Sequence, residues 1–144
     1  MKKALLVLIS FILLLSSCSK ETVFSYYLKG NWSVTELDVT ETTDTITSSY
    51  TLHNAGTYSF NKNNEGSLTT SADTATKNIA FKWSTVSNTK VLLTFKDQTT
   101  EEWTVLSDKP ETQIWENTAV TTQTSGGVSA TTTVYRKLFL KKFK

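Results

Sequence analysis

The chain has 144 residues, with 15 Lys and Arg against 13 Asp and Glu, and a formal net charge of +2 at pH 7. Lys2 and Lys3 lie in an N-terminal apolar segment that contains no acidic residue, so the rest of the chain is electrically balanced. A balanced chain offers no basic surface to nucleic acid, and we exclude that class of partner. The lone Cys excludes a disulfide within the chain, and the abundance of Thr, Val, Tyr, Phe and Trp favours strands.

Residues 1–17 are predicted to be a secretory signal. Two lysines precede an almost unbroken apolar run over residues 4–15, which is shorter than the about 20 apolar residues that a membrane span needs. Leu15-Ser16-Ser17-Cys18 resembles the bacterial lipobox. The resemblance implies that Cys18 carries acyl chains such as palmitate and becomes the mature N-terminus, at a gain of about 0.8 kcal/mol per methylene buried in the bilayer.

Ser19, in place of Asp, follows the Cys, and the same resemblance then implies the outer membrane, with either face open. The predicted organisation is a signal over residues 1–17, the lipidated Cys and a tether over residues 18–25, and one domain over residues 26–144.

The first elements of the domain are a helical turn and a bent strand. Val23, Phe24, Tyr27 and Leu28 have helical spacing, and Lys29-Gly30 ends the turn. In the strand that follows, the apolar parity changes between residues 32–34 and residues 37–39, which predicts a bulge.

The middle of the chain alternates short strands with turns. Strands are predicted over residues 46–52, 57–60, 67–70, 79–84, 91–95 and 101–106. Asn54-Ala55-Gly56 is predicted to be a turn, and residues 71–77 a polar loop.

The last hairpin is the most specific prediction. Two long runs, residues 112–124 and 128–142, flank Gly126-Gly127, and a two-residue primed turn there would pair Ser125 with Val128. This register places four further pairs opposite each other: Glu116 with Lys137, Ile114 with Phe139, Trp115 with Leu138, and Thr118 with Tyr135. The Thr-rich tip, residues 120–133, is polar on both faces, so we expect it either to project from the body or to be a low-complexity loop.

The strands number about eight to nine, at a spacing of about 8–12 residues, and no helical period extends beyond one turn. This pattern is typical of an all-β sandwich or barrel. The short connections favour an up-and-down antiparallel β-barrel.

Short motifs in the same order resemble lipocalin-like lipoproteins of Gram-negative bacteria. Gly30-Asn31-Trp32 resembles the lipocalin Gly-x-Trp motif. The later pieces are Tyr50-Thr51-Leu52, Asn54-Ala55-Gly56-Thr57-Tyr58, Phe81-Lys82-Trp83-Ser84, Val91-Leu92-Leu93-Thr94-Phe95, Trp103-Thr104-Val105-Leu106-Ser107 and Leu138-Phe139-Leu140-Lys141-Lys142. The resemblance covers most of residues 26–142.

The lipocalin resemblance implies a structural pair at the closed end of the barrel, with Trp32 beneath Arg136, the only Arg of the chain. The aromatic side chains could also line a ligand cavity, the alternative being that they simply fill the core. The candidates are Tyr50, Tyr58, Phe81, Trp83 and Trp103.

No constellation in the sequence amounts to an active site. His53 is the only imidazole, and it has no companions that would hold Zn or activate a serine. Glu36 and Asp38 have the spacing that places two carboxylates on one face of a strand, where such groups are usually solvated. We expect no metal, no cofactor and no enzymatic activity, with an enzyme built on His53 as the least favoured alternative.

The function predicted from sequence is therefore binding. We expect a lipid-anchored outer-membrane protein that binds a small apolar or amphipathic ligand or an envelope component. The alternative is an adhesin-type domain whose exposed aromatic side chains and Thr-rich hairpin contact glycan or protein.

Overall fold

The computed structural model describes residues 20–72 and 75–143. One helix precedes eight strands: α1 Lys20–Leu28, β1 Gly30–Thr43, β2 Ile46–Phe60, β3 Glu65–Ala72, β4 Ala75–Ser87, β5 Lys90–Phe95, β6 Thr100–Asp108, β7 Thr112–Ser125 and β8 Val128–Phe143. Each strand pairs antiparallel with the next along the chain, and β8 returns to pair with β1. The predicted fold class, an all-β up-and-down antiparallel barrel, is confirmed with eight strands.

Two local predictions for the middle of the chain were wrong. The turn predicted at Asn54-Ala55-Gly56 is an irregularity inside β2, which runs unbroken from Ile46 to Phe60. Asn54 has a φ of 53° there, a conformation that Asn tolerates better than most residues. The polar loop predicted over residues 71–77 belongs largely to the β3–β4 pairing, in which Thr70 lies opposite Lys77. Polar composition alone did not distinguish a loop from paired strands.

The β7–β8 hairpin has the predicted register. Ser125 pairs with Val128, and the four predicted pairs further down the strands are all present. Gly126 and Gly127 have φ values of 59° and 81°, the left-handed conformation that a type I′ turn requires at both positions. The predicted bulge of β1 is also present, between Val34 and Glu36.

The barrel is closed over only part of its length. In the direction of the β1–β2 and β7–β8 turns, which we call up, the β2–β3 pairing ends at Thr57 and Thr69, and the β6–β7 pairing ends at Thr104 and Glu116. Above these pairs, β2, β1, β8 and β7 continue as a four-stranded sheet. We call this part the projecting sheet, residues 37–43, 46–56, 117–125 and 128–136, and the remainder the closed barrel.

Aromatic rings fill the closed barrel. Trp115 has ring centroids 5.8 Å from Phe60, 6.2 Å from Tyr58 and 6.3 Å from Trp103. Such tilted pairs contribute about 0.5–1.5 kcal/mol each beyond the area that they bury. These rings and the aliphatic side chains around them form the buried core of the barrel.

Helix α1 covers the closed end. Phe24 and Leu28 are buried against the barrel, and the Trp32 indole Nε1 donates a hydrogen bond to the Leu28 carbonyl oxygen at 2.7 Å. The predicted helical turn is thus confirmed, and it begins at Lys20. The tether assigned to residues 18–25 overlaps this helix, because Phe24 is part of the core, so the folded unit begins before residue 26. Cys18 and the signal over residues 1–17 lie outside the described residues.

Candidate binding site at the open end of the barrel

A polar network lies where the closed barrel meets the projecting sheet. The Arg136 guanidinium donates through Nη2 to Glu101 Oε1 at 2.9 Å and to Asn117 Oδ1 at 2.7 Å. Its carbon Cζ lies 5.0 Å from the centre of the Trp103 ring, a cation–π contact. Trp103 Nε1 in turn donates to Glu101 Oε2 at 3.1 Å. The network therefore holds one ion pair against an aromatic ring.

Strand register brings these side chains together. Arg136 lies opposite Asn117 on β7 and opposite Val39 on β1. Asn117 is the first β7 residue above the last pair with β6, and its Nδ2 donates to the Glu102 carbonyl oxygen at 2.7 Å. The Asn117 amide thus replaces a missing ladder bond and closes the base of the gap between β6 and β7.

The network is only partly shielded from water. The Arg136 and Glu101 side chains are 26% and 27% exposed. Among the described residues, the Arg136 Nε has no hydrogen-bond partner although that atom is buried. Burial and the Glu101 carboxylate raise the pKa of the Tyr58 phenol well above its usual value, and Arg136 lowers it in part. Tyr58 is therefore a neutral hydroxyl at physiological pH.

An apolar surface adjoins the network on the inner face of the projecting sheet. Leu37 lies opposite Leu138, a buried core residue, and Val39 lies opposite Arg136. On β2, Leu52 and Tyr50 lie opposite Leu37 and Val39 and continue the same face. Val39 is buried, whereas Tyr50 and Leu52 are each 47% exposed. Exposed apolar side chains thus stand beside a charged pair.

One open cleft adjoins this end of the barrel, and a second extends along the side of the barrel as far as the β2–β3 turn. The larger, about 780 Å³, lies along the gap between β6 and β7, and Glu101, Asn117 and Arg136 line it. The second, about 550 Å³, is lined by residues of β3, β4 and β5 that include Phe81. Phe95 borders both clefts. Their size is within the range of small-molecule sites.

The predicted pair of Trp32 with Arg136 was wrong. Lys142, not Arg136, lies over the Trp32 ring, with Nζ 5.1 Å from the ring centre, and it donates to the Tyr27 carbonyl oxygen at 2.8 Å. Register explains the difference, since Trp32 lies opposite Lys142 on β8 and Arg136 lies opposite Val39. Arg136 instead makes its cation–π contact with Trp103, at the other end of the closed barrel.

The aromatic residues predicted to line a ligand cavity fall into two groups. Tyr58, Phe81, Trp83 and Trp103 are buried in the packed core. Tyr50 is half exposed on the projecting sheet. Core packing accounts for the first group, and the part of all five in ligand binding stays a prediction.

The remaining candidates do not form a chemical site. His53 Nδ1 lies 3.8 Å from Glu36 Oε2 on an exposed surface. In residues 20–72 and 75–143, no group of three or more His, Cys, Asp or Glu side chains could hold a metal ion. No helix in this part of the chain has the length and apolar character to cross a membrane.

The network residues Glu101 and Asn117 were missed from sequence. Asn117 continues the inward parity of Gln113 and Trp115 on β7, so alternation could have placed its amide in the interior. No sequence signal indicated that Glu101 would face Arg136, because the two lie 35 residues apart and on strands that are not neighbours.

The fold and the site define a class of protein, the closed eight-stranded up-and-down antiparallel barrel with a polar open end. Among solved structures, the chain is similar to a bovine odorant binding protein, a deswapped triple mutant, at 13% identity and a TM-score of 0.42, over 82% of this chain and 76% of that one. No known family profile and no curated protein matches the chain.

Proposed function

We propose that this chain is a lipid-anchored, lipocalin-like protein of the outer membrane that binds a small amphipathic ligand, or an envelope component that presents one, at the open end of its barrel. Binding requires no chemical step, and the proposed role is non-enzymatic.

The observation that carries the proposal is the arrangement of two unlike surfaces at the open end. Tyr50 and Leu52 present exposed apolar area on the inner face of the projecting sheet. The Arg136–Glu101 ion pair lies on the same face, across Val39 of β1, and lines a cleft of about 780 Å³. A ligand with an apolar part and a polar group would satisfy both surfaces, which a purely apolar or purely charged ligand would not.

Packing of the closed barrel supports a ligand at the open end rather than deep inside. Rings such as Phe60 and Trp115 occupy the interior, and their centroids are 5.8 Å apart. A molecule could enter that space only by displacing close-packed side chains, at a cost of several kcal/mol.

The position of α1 supports the proposed anchoring geometry. This helix covers the closed end and begins at Lys20, two residues after the proposed lipidation at Cys18. An anchored chain would therefore hold its closed end toward the bilayer and present the open end away from it.

Fluorescence titration with a fluorescent medium-chain fatty acid tests the proposal on the purified full chain in detergent below its micelle-forming concentration. Replacing Tyr50 and Leu52 by Ser should weaken binding by about tenfold or more, the equivalent of about 1.4 kcal/mol. Leu106→Ser is the matched control, because Leu106 is 51% exposed on β6 in the closed barrel and does not line the cleft that Arg136 borders. Equal weakening by the control, or no saturable binding by the parent chain, would refute the proposal.

A second candidate, an adhesin-type domain, is favoured by the projecting sheet itself. The β7–β8 hairpin extends well past the last β6 pair and exposes Val120 and Val128. Deleting residues 120–133 should abolish binding to a glycan or protein array if this hairpin is the contact. The same deletion should leave fatty-acid binding intact, so the two candidates give opposite results.

A further inference from the structure

We propose that β7 is a docking strand for a second copy of this chain, which adds its own β7 antiparallel along residues 118–124. The inference rests on the free edge of β7 and not on the ligand proposed above, and a docked strand would compete with that ligand because Thr118 and Val120 line the same cleft as Arg136.

The upper part of β7 is a free sheet edge. No strand in the described part of the chain pairs with β7 above the Thr104–Glu116 pair. In a two-residue hairpin the flanking residues, here Ser125 and Val128, form a hydrogen-bonded pair, and bonded pairs recur at every second residue. Odd-numbered residues of β7 therefore bond to β8. Residues 118, 120, 122 and 124 direct their N–H and C=O groups to the open side, as Glu116 does toward Thr104.

This edge lacks the features that usually prevent strand addition. Natural edges are commonly protected by Lys, Pro or a bulge. Residues 117–125 contain no charged residue and no proline, and the register of β7 against β8 is uninterrupted from Thr112 to Ser125. The other edge of the projecting sheet, β2, is interrupted by the irregularity that includes Asn54. The β7 edge is therefore the better template.

The surroundings of β7 leave room for an incoming strand. A cleft of about 780 Å³ separates this edge from β6, and Thr118 and Val120 line it. A docked strand would lie about 4.8 Å from β7 on the cleft side of this edge.

The chemistry of the edge favours a second copy over a charged partner. Hydroxyl pairs already join the strands of the projecting sheet: Thr122 with Thr131 at 3.2 Å, and Thr124 with Ser129 at 2.9 Å. With residues 118–124 of the two copies paired, Thr124 of each copy would lie opposite Thr118 of the other and Thr122 opposite Val120, with no charge to repel the second strand. Two β7 strands related by a twofold axis close the assembly, whereas pairing of β7 with β2 would be heterologous and open-ended.

Antiparallel pairing also fixes the shape of the dimer. The tip of each projecting sheet points toward the closed barrel of the other copy, so the two α1 helices lie at opposite ends. If each copy is anchored at Cys18 as proposed above, such a dimer would join proteins on two facing membrane surfaces rather than two neighbours on one membrane.

Sedimentation velocity of the full chain in detergent, over a range of protein concentrations, tests the proposal with two matched variants. Thr122→Lys and Thr131→Lys each remove the same hydroxyl pair and add one Lys on the same face, but only residue 122 lies on the free edge. We expect Thr122→Lys to weaken dimerisation by about tenfold or more and Thr131→Lys to leave it within about twofold. A parent chain that stays monomeric, or equal weakening by both variants, would overturn the proposal. Near-ultraviolet circular dichroism of the buried tryptophans confirms that each variant is folded.

Thiol cross-linking identifies the edge that docks. Thr122→Cys should give covalent dimers with a short bifunctional thiol reagent, with the parent chain as the background for Cys18. Ser49→Cys, on the β2 edge, should give none. Cross-linking through residue 49 alone would assign docking to β2, and a ladder of higher oligomers would indicate open-ended pairing. Either result would refute a β7–β7 dimer.

Discussion

The closed barrel and the projecting sheet share four strands, β1, β2, β7 and β8, but are stabilised by different interactions. Below the last β6–β7 pair, inward positions carry rings such as Trp115 that are fully buried. Above it, the same alternation presents Thr, Ser and Gln, and the β7 side chains beyond Asn117 are exposed. The closed part is a packed core, whereas the projecting part is a sheet with solvent on both faces.

The two regions constrain their side chains in different ways. In the closed barrel, volume and shape decide which side chain fits, because the rings contact each other from several strands. In the projecting sheet, backbone ladders and hydroxyl pairs such as Thr42–Thr47, at 3.0 Å, hold the strands, at about 0.2–1 kcal/mol per pair. We therefore expect the fold to depend on the first region and contacts with other molecules to depend on the second.

The largest expected contrast is between Trp115→Ala and Thr122→Ala. Trp115 is fully buried among three aromatic rings, and its loss should lower the free energy of unfolding by about 3–5 kcal/mol. Thr122 is exposed on β7, and its replacement should change stability by no more than about 0.5 kcal/mol. Urea denaturation followed by tryptophan fluorescence measures both. Similar losses for the two variants would mean that the projecting sheet carries as much of the stability as the core.

The same Gly→Ala substitution at two positions tests the contrast between the closed barrel and the projecting sheet. A Cβ on Gly66, in the closed barrel, would lie 2.5 Å from the Ser59 carbonyl oxygen and closer still to the Phe81 ring. Gly66→Ala should therefore cost about 3 kcal/mol, because neither backbone nor core can yield. Gly126, at the tip, has open space around it, and Gly126→Ala should cost only about 1 kcal/mol from its left-handed φ of 59°. Thermal unfolding of both variants checks the order, and a larger loss at Gly126 would contradict it.

Local patterns in the sequence were enough for most of the fold. The register of the β7–β8 hairpin followed from Gly126-Gly127 and from apolar pairs, because both signals are local to the hairpin. The bulge of β1 followed from a change of apolar parity. The continuity of β2 through Asn54 could not be predicted, because an Asn-Ala-Gly segment is compatible with both a turn and a bulge. Only the pairing of β2 with β1 decides between them.

The candidate site depends on contacts between distant strands, and for that reason little of it was predicted. The lone Arg was assigned to Trp32, but β8 carries a Lys at the position opposite that ring. Both residues are cations, and the register of β8 against β1 determines which of them lies over the Trp32 ring. Likewise, Glu101 and Arg136 are in contact because the barrel closes. A contact between such distant strands cannot be predicted from a short segment of sequence.

The smallest expected effects concern the two cation–π contacts that mark the ends of the closed barrel. Lys142 lies over Trp32 at the closed end, and Arg136 lies over Trp103 at the junction with the projecting sheet. A double-mutant cycle of Trp32→Phe with Lys142→Met should give a coupling of about 0.5–1 kcal/mol. The cycle of Trp32→Phe with Arg136→Met is the control and should give additive losses, because these side chains do not meet.

The titration of Lys142 provides a further readout of the closed end. Burial lowers the pKa of this amine from its ordinary value of 10.5. In the pH window just below 10.5, the folded chain has therefore released a proton that the unfolded chain still binds, so this group makes the free energy of unfolding increase with pH. Lys142→Met removes that contribution, and the stability of the variant should rise less with pH than that of the parent between neutral pH and 10.5. Urea denaturation at successive pH values measures the two slopes, with Lys141→Met as the control on the same strand, since Lys141 is exposed. Equal slopes in parent and Lys142→Met would mean that the amine is as well solvated in the folded chain as in the unfolded one, and the closed end would then be no drier than the projecting sheet.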